Sequence, residues 1–174
     1  MENLTIILTE KEIEKCKEIG LKRSGSMSHA DTKNSKNMTP EKPAWWRHYI
    51  GALGEYAFAK LTNQEVHDII GRGDEGTDFP CGTNVKSSDF PHREPNLLIH
   101  KKTSWDRKRA KRYVLAWIKL PQIIFLGEIT EQKILNLIDI VGENIYREYG
   151  RGKTLTIPTR MLEPINMDRY KIEN

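Results

Sequence analysis

Four residues between positions 55 and 86 have types and spacing that could act together on a charged substrate. They are Glu55, Asp78, Asn84 and Lys86. Side chains two residues apart in a β-strand share a face, so Asn84 and Lys86 are expected to project together while Val85 enters the core. If the segment around Asp78 lies beside that strand, its carboxylate joins them. Glu55, on a preceding helix, could supply a further oxygen.

These groups suit a divalent metal ion, because Mg²⁺ takes oxygen ligands. The candidate ligands are Asp78, the Asn84 side chain, the Val85 carbonyl and Glu55. Bound Mg²⁺ would lower the pKa of a water molecule and neutralise charge on a phosphate. Lys86 would orient the attacking hydroxide or the phosphate and help to stabilise the transition state. The pattern predicts Mg²⁺-dependent hydrolysis of a phosphodiester, with Mn²⁺ able to substitute.

Positive charge is concentrated in one segment of the chain. The whole sequence has 28 Lys and Arg against 24 Asp and Glu, a net charge of +4, whereas residues 101–112 alone hold seven Lys and Arg against one Asp. A phosphate-binding surface requires such a concentration, although a solvated loop without a partner can have the same composition. With DNA as the expected partner, the predicted contacts are Lys101, Lys102, Arg107, Lys108, Arg109, Lys111, Arg112, Arg47 and Ser87.

Hydrophobic spacing predicts the elements that position these residues. A helix is expected to begin near Pro43 and reach about Leu61, and Thr9 is the predicted N-cap of a helix that ends near Gly20. Residues 22–43 have no hydrophobic period and are predicted to form an exposed loop. Another helix is predicted at 131–147. The predicted strands are 4–8, 77–80, 83–87, 97–100, 113–120, 123–129 and 154–157.

This order of elements indicates one α/β (α+β) domain over residues 1–174, with a mixed central sheet flanked by helices. Hydrophobic residues make up 37% of the chain and charged residues 30%, and no apolar run approaches the roughly 20 residues that span a bilayer. Residues 1–3 lack the layout of a secretory signal. Cys16 and Cys81 have no metal-ligand spacing, so both are expected to be reduced thiols in the cytoplasm. Neither a membrane partner nor a small-molecule cofactor is expected.

Three short motifs resemble the PD-(D/E)XK nuclease superfamily, which includes restriction enzymes, resolvases and phage nucleases. They are GALGEYAF at 51–58, GTDF at 76–79 and NVKSS at 84–88. In this resemblance Glu55 takes the place of the helix glutamate, Asp78 that of the metal-binding aspartate and Lys86 that of the catalytic lysine. The match covers about residues 45–165, and its C-terminal end is similar to that of small phage-type members.

The resemblance implies a restriction-endonuclease-like fold and a metal-dependent DNA endonuclease that leaves 5′-phosphates. It also implies a phage-type protein that acts in the cytoplasm of a bacterial host. Compact members of the family often form homodimers that cut two strands, so a homodimer is a family-level expectation. A single module without a recognition domain leaves specificity to loops, to the dimer or to DNA shape.

Asn84 departs from the family pattern, which has Asp or Glu at this position. An amide keeps a carbonyl oxygen but removes a full charge beside a divalent ion, a loss on the order of several kcal/mol at an effective dielectric of about 20. Three explanations stay open: a natural site that works with Asn, an engineered Asp→Asn variant, and a natural pseudo-nuclease. The alternative function is therefore a nuclease-fold module that binds nucleic acid or a partner protein without cleavage. A further alternative is an RNA-directed or assembly protein.

Overall fold

Two β-sheets and three α-helices make up the part of the chain that the computed structural model describes, residues 3–25, 42–64, 77–149 and 152–170. The helices are α1 (Glu10–Gly25), α2 (Ala44–Thr62) and α3 (Glu131–Val141). The strands are β1 (Leu4–Ile7), β2 (Thr83–Ser88), β3 (Leu97–His100), β4 (Arg112–Lys119), β5 (Gln122–Thr130), β6 (Tyr146–Tyr149) and β7 (Gly152–Ile157). The predicted mixed α/β class is confirmed.

The larger sheet is mixed, as the sequence predicts. Its strand order is β1-β5-β4-β2. Strands β4 and β5 form an antiparallel hairpin, and β2 runs parallel to β4 with Thr83 opposite Arg112. The smaller sheet is antiparallel, with the order β3-β7-β6. In the described ranges β2 is therefore an edge strand, and its first residues lie next to the first residues of β4.

Alternation along β4 separates two hydrophobic cores. Val114, Ala116 and Ile118 face a core shared with α1 and α2. Tyr113 and Leu115 face a second core that includes residues of β3, β7 and α3. Helices α1 and α2 thus cover one face of the larger sheet, whereas the smaller sheet and α3 cover the other. None of the described helices combines the length and apolar character that crossing a membrane requires.

Local capping explains where the first helix begins. Glu12 N donates to Thr9 Oγ1 at 3.3 Å, and Thr9 N donates to Glu12 Oε2 at 2.7 Å, which is a reciprocal capping box. The Glu12 carboxylate also accepts a 2.9 Å hydrogen bond from Lys60 of α2. The predicted N-cap is therefore confirmed, and it also ties α1 to α2.

Three predicted boundaries are wrong. Helix α1 continues to Gly25, so residues 22–25 are helical rather than part of a loop, while residues 26–41 lie outside the described residues. The predicted helix over 131–147 ends at Val141, because Gly142 has a φ of 62° that interrupts helical geometry. Strand β6 follows a short 3₁₀ turn. The predicted strand over 77–80 contributes only a bridge between Phe79 and Thr83.

Gly54 allows α2 to approach the larger sheet closely. A Cβ atom at this position would lie 2.0 Å from Ser87 Oγ and 3.3 Å from the Ala116 side chain. The Ser87 hydroxyl can rotate away, but the Ser87 Cβ at 3.2 Å and the Ala116 Cβ at 3.3 Å are fixed to the backbones of their strands. A Cβ at Gly51, one turn earlier, would meet only Glu55 Oε1, at 3.7 Å.

We expect Gly54→Ala to lower the free energy of unfolding by about 1–3 kcal/mol, because it overpacks the contact between α2 and the sheet. Gly51→Ala is the matched control and should raise it by about 0.5–1 kcal/mol, since Ala favours the helix and has room. Urea denaturation followed by far-UV circular dichroism measures both. Equal effects of the two variants would contradict the close approach at Gly54.

Candidate functional site

Residues 77–82 lead into β2 through a tight turn. The Thr83 carbonyl accepts from Asp78 N at 3.0 Å and from Phe79 N at 3.2 Å, and Gly82 N donates to the Phe79 carbonyl at 2.9 Å. Gly82 has a φ of 78°, a backbone conformation that residues other than glycine adopt only with strain. The turn brings Asp78 beside the first residues of β2.

The Asp78 carboxylate is held by two hydrogen bonds from β2. Its Oδ2 accepts from the Val85 backbone nitrogen at 2.6 Å, and its Oδ1 accepts from Asn84 Nδ2 at 3.3 Å. Asn84 is buried, with 6% of its surface exposed. The structure therefore brings Asp78 and Asn84 into direct contact.

Lys86 lies on the same side of the sheet as Asn84. Val85, between them, packs in the core beneath α1 and α2, so strand alternation directs its two neighbours to the opposite face. Two residues along a strand span about 7 Å. Lys86 is half-buried and makes no hydrogen bond or ion pair with the described residues. An ammonium group is thus available close to the Asp78–Asn84 pair.

Glu55 makes its contacts elsewhere. Its Oε1 and Oε2 accept from Arg23 Nη1 and Nη2 at 3.0 and 2.7 Å. Both side chains are less than one-fifth exposed, so the pair is well shielded from solvent. Helix α2 covers the face of the sheet that carries Val85, and the described hydrogen bonds of Glu55 do not include Asp78, Asn84 or Lys86. The pairing of Arg23 with Glu55 was not predicted, because α1 was expected to end before Arg23.

The donor atoms are oxygens, the type that Mg²⁺ prefers, but together they carry little negative charge. Asp78, the Asn84 amide and the Val85 carbonyl all offer hard oxygen donors, while both Glu55 oxygens are engaged by Arg23. Across the described ranges no group of three or more His, Cys, Asp and Glu residues is placed to hold a metal. If the Asn84 amide were turned, its oxygen would face an Asp78 oxygen. Two such acceptors come into contact only when a cation or a proton lies between them. The chain's own residues therefore fit a weakly held ion.

The C-terminal turn Met167–Tyr170 supports the start of β2 and β4. Tyr170 donates to the buried Glu128 carboxylate at 2.6 Å, Arg169 donates to the same carboxylate at 2.5 Å, and the Arg112 guanidinium lies 5.9 Å from the Tyr170 ring centre. Burial raises the pKa of Tyr170, and the hydrogen bond to Glu128 raises it further. The phenol is thus a permanent donor near neutral pH and anchors the C-terminal turn beneath this end of the sheet.

The basic segment adjoins the turn that carries Asp78. Lys101–Trp105 forms a short π-helical turn, and the chain then enters β4 at Arg112, beside Thr83. The Lys111 side chain covers Gly82, since a Cβ there would lie 2.8 Å from Lys111 Cδ. The concentration of positive charge therefore lies at the same end of β2 as Asp78 and Asn84.

The basic side chains divide into two groups. Lys101 pairs with Asp106 at 3.0 Å, and Arg109 pairs with Glu131 at 3.5 Å while stacking on Trp105. Trp105 is 3% exposed, so its ring is not accessible to the bases of a nucleic acid. The other group is exposed and makes no ion pair within the described ranges; it comprises Lys102, Arg107, Lys108 and Lys111.

Of the three remaining predicted contacts, Arg112 lies beside the Tyr170 ring, and Arg47 and Ser87 differ in accessibility. Arg47 is exposed on α2. The Ser87 hydroxyl is buried against Gly54 and has no hydrogen-bond partner in the described part of the chain. A phosphate on the surface does not reach that hydroxyl in this arrangement.

Comparisons of the chain with protein-family models, with curated proteins and with solved structures found no match. What the chain can do therefore follows from its own geometry. The features that bear on function are the Asp78–Asn84 contact, the nearby Lys86, the Arg23–Glu55 ion pair and the exposed basic residues.

Replacing Arg23 with Met should lower the free energy of unfolding by about 1–3 kcal/mol, because Glu55 keeps a shielded charge without its bidentate partner. Lys17→Met is the control, since its partner Glu14 is 63% exposed and surface pairs contribute about 0–1 kcal/mol. Chemical denaturation at neutral pH measures both changes. If the two variants are equally mild, the Arg23–Glu55 pair does not stabilise the packing of α1 on α2.

Proposed function

We propose that the chain is a metal-dependent DNA endonuclease of the restriction-endonuclease-like type, with Asp78, Asn84 and Lys86 as its reactive face. The observation that carries this proposal is the Asp78 carboxylate fixed at the start of β2, 3.3 Å from Asn84 Nδ2, with Lys86 projecting on the same face. The parallel β2–β4 pair and the preceding helix α2 agree with the resemblance to PD-(D/E)XK nucleases.

The residues of the site have distinct roles in this proposal. Asp78, the Asn84 oxygen and the Val85 carbonyl would hold Mg²⁺, which when bound supplies an acidified water and neutralises phosphate charge. The Val85 N–H fixes the Asp78 carboxylate at 2.6 Å, so little reorganisation is needed during the reaction. Lys86 donates to a phosphate oxygen and stabilises the negative charge that develops there.

DNA is the substrate that the neighbouring charges favour. Lys111 lies against the turn that follows Asp78, and Lys102, Arg107 and Lys108 are exposed in the same segment. Contacts from such side chains to backbone phosphates position a duplex without reading its sequence. A phosphodiester held by this basic segment lies next to the reactive face.

A specific observation favours the second candidate, a module that binds DNA without cutting it. Each acidic group of the site already has an internal partner: Glu55 has Arg23, and Asp78 has Asn84 and the Val85 N–H. A carboxylate that is satisfied in this way has less to gain from a metal ion. The basic segment retains its charge in either case, so binding and cleavage need separate tests.

Asn84→Asp separates the two candidates. Two carboxylates in contact repel each other, so the variant should be less stable than the parent in EDTA and should regain stability when Ca²⁺ is added. With Mg²⁺ or Mn²⁺, nicking of supercoiled plasmid should rise about 100-fold or more, since the restored charge contributes several kcal/mol to ion binding.

The control is the double variant Asn84→Asp, Lys86→Met. It should keep the Ca²⁺-dependent gain in melting temperature but lose plasmid nicking, because Lys86 acts on the phosphate and not on the ion. An Asn84→Asp variant that binds DNA yet stays inert with both metals would establish binding without cleavage as the function.

The salt dependence of DNA binding tests the basic segment. Each phosphate contact contributes about 0.9 to the slope of log K against log salt, so Arg107→Gln and Lys108→Gln should each lower the slope by about one. Arg109→Gln should change it less, because Arg109 is engaged with Trp105 and Glu131. Fluorescence anisotropy with a labelled duplex gives the slopes. Clear preference for RNA over duplex DNA in competition would contradict the assigned substrate.

A further inference from the structure

Residues 89–96, which connect β2 to β3, display an aromatic ring at the far end of β2 from Asp78. Phe90 is 43% exposed. A single exposed apolar side chain is common on protein surfaces and needs no explanation. Phe90 differs because its loop is fixed on both sides of the ring and because a guanidinium group lies beside the ring.

Four side chains anchor this loop. Asp89 Oδ2 accepts from Trp46 Nε1 and from Lys42 Nζ, both at 2.8 Å. The Phe90 carbonyl accepts from Trp117 Nε1 at 2.8 Å, and the Pro91 carbonyl accepts from Lys119 Nζ at 2.7 Å. Burial alone would raise the pKa of Asp89, but the hydrogen bonds from Lys42 and Trp46 outweigh it and lower the pKa. Asp89 is therefore an anionic anchor at neutral pH, and the backbone that carries the Phe90 ring is held in place.

Cationic and aromatic groups lie together around the ring. The Arg93 guanidinium is 5.8 Å from the Phe90 ring centre, and the His92 ring meets it edge-on at 6.2 Å. On the adjoining strand Lys119 lies 4.2 Å from the Trp117 ring centre. Of the two acids in the loop, Asp89 is neutralised by Lys42, and Glu94 is exposed. An exposed ring beside cations suits a ligand that has flat faces and negative charge.

We propose that Phe90, with His92 and Arg93, is a stacking site for an unpaired nucleotide of the DNA substrate. Bases stack on aromatic rings and on guanidinium planes without regard to sequence, while nearby cations bind the phosphates. This inference rests on the proposed function, because it takes DNA as the ligand.

The position of Phe90 determines which DNA would fit. Phe90 is six positions after Asn84 in the chain, a span of at most about 20 Å for extended backbone. That distance corresponds to about six base pairs at 3.4 Å each. A duplex that opens into a single strand about six base pairs from the reactive phosphate would reach both places. Forked or branched DNA has such a junction, so it is the form of DNA that would engage Phe90 and the reactive face together.

Binding of labelled oligothymidylate and of a blunt duplex of equal length, in EDTA, tests the stacking site by fluorescence anisotropy. Phe90→Ala should weaken binding of the single strand about tenfold and change duplex affinity less than twofold. Phe90→Trp should restore single-strand binding. Tyr149→Ala is the matched control, because Tyr149 is 45% exposed on β6, away from the loop, and its loss should leave both affinities unchanged.

Equal weakening for single strand and duplex, or no weakening at all, would overturn the stacking site. The stacking site would also be contradicted if Phe90→Ala lost self-association, measured by analytical ultracentrifugation, without a change in DNA binding. The ring would then contact a second copy of the chain. Cleavage by Asn84→Asp is measured independently. A Phe90-dependent preference for single strands without cleavage would support the stacking site and contradict the nuclease. Cleavage without a Phe90-dependent preference would support the nuclease and contradict the stacking site.

Discussion

The 2.6 Å hydrogen bond from the Val85 N–H to the Asp78 carboxylate is the interaction on which the candidate site depends. In the described sheet β2 is an edge strand, so its outward backbone groups have no neighbouring strand to pair with. Asp78 satisfies one of them because the turn at Gly82 folds residues 77–82 back onto the strand. This hydrogen bond satisfies an unpaired N–H at the edge of the sheet. It also fixes the negative charge of Asp78 beside Asn84.

Charge compensation decides what this arrangement can do. A partly buried carboxylate requires a partner, and the partner can be a cation, a hydrogen-bond donor or a proton. In this chain Arg23 supplies the cation for Glu55, and the Asn84 amide supplies a donor for Asp78. In the proposed nuclease a metal ion would have to compete with partners that are already in place. This competition would make the identity of residue 84 the main determinant of metal affinity, more than the number of oxygen atoms nearby.

Local patterns in the sequence predicted the parts of the fold that depend on neighbouring residues. The core position of Val85, the helix α2, the strands β4 and β5 and the Thr9 cap are confirmed. The parts that failed depend on distant residues. Strand β6 is short and polar and forms only because β7 pairs with it. Glu55 has the local signature of a site residue, yet its partner Arg23 is 32 residues away.

The two ends of β2 present different chemistry because different parts of the chain meet there. At its start, the parallel pairing of Thr83 with Arg112 brings the end of the basic segment to the Asp78 turn. At its end, the pairing of Ser88 with Trp117 brings Trp117 and Lys119 to the Phe90 loop. Strand length alone sets the spacing between them. A change of register by one residue would exchange the faces of Asn84 and Val85, so the packing of Val85 under α2 also maintains the alignment of both ends.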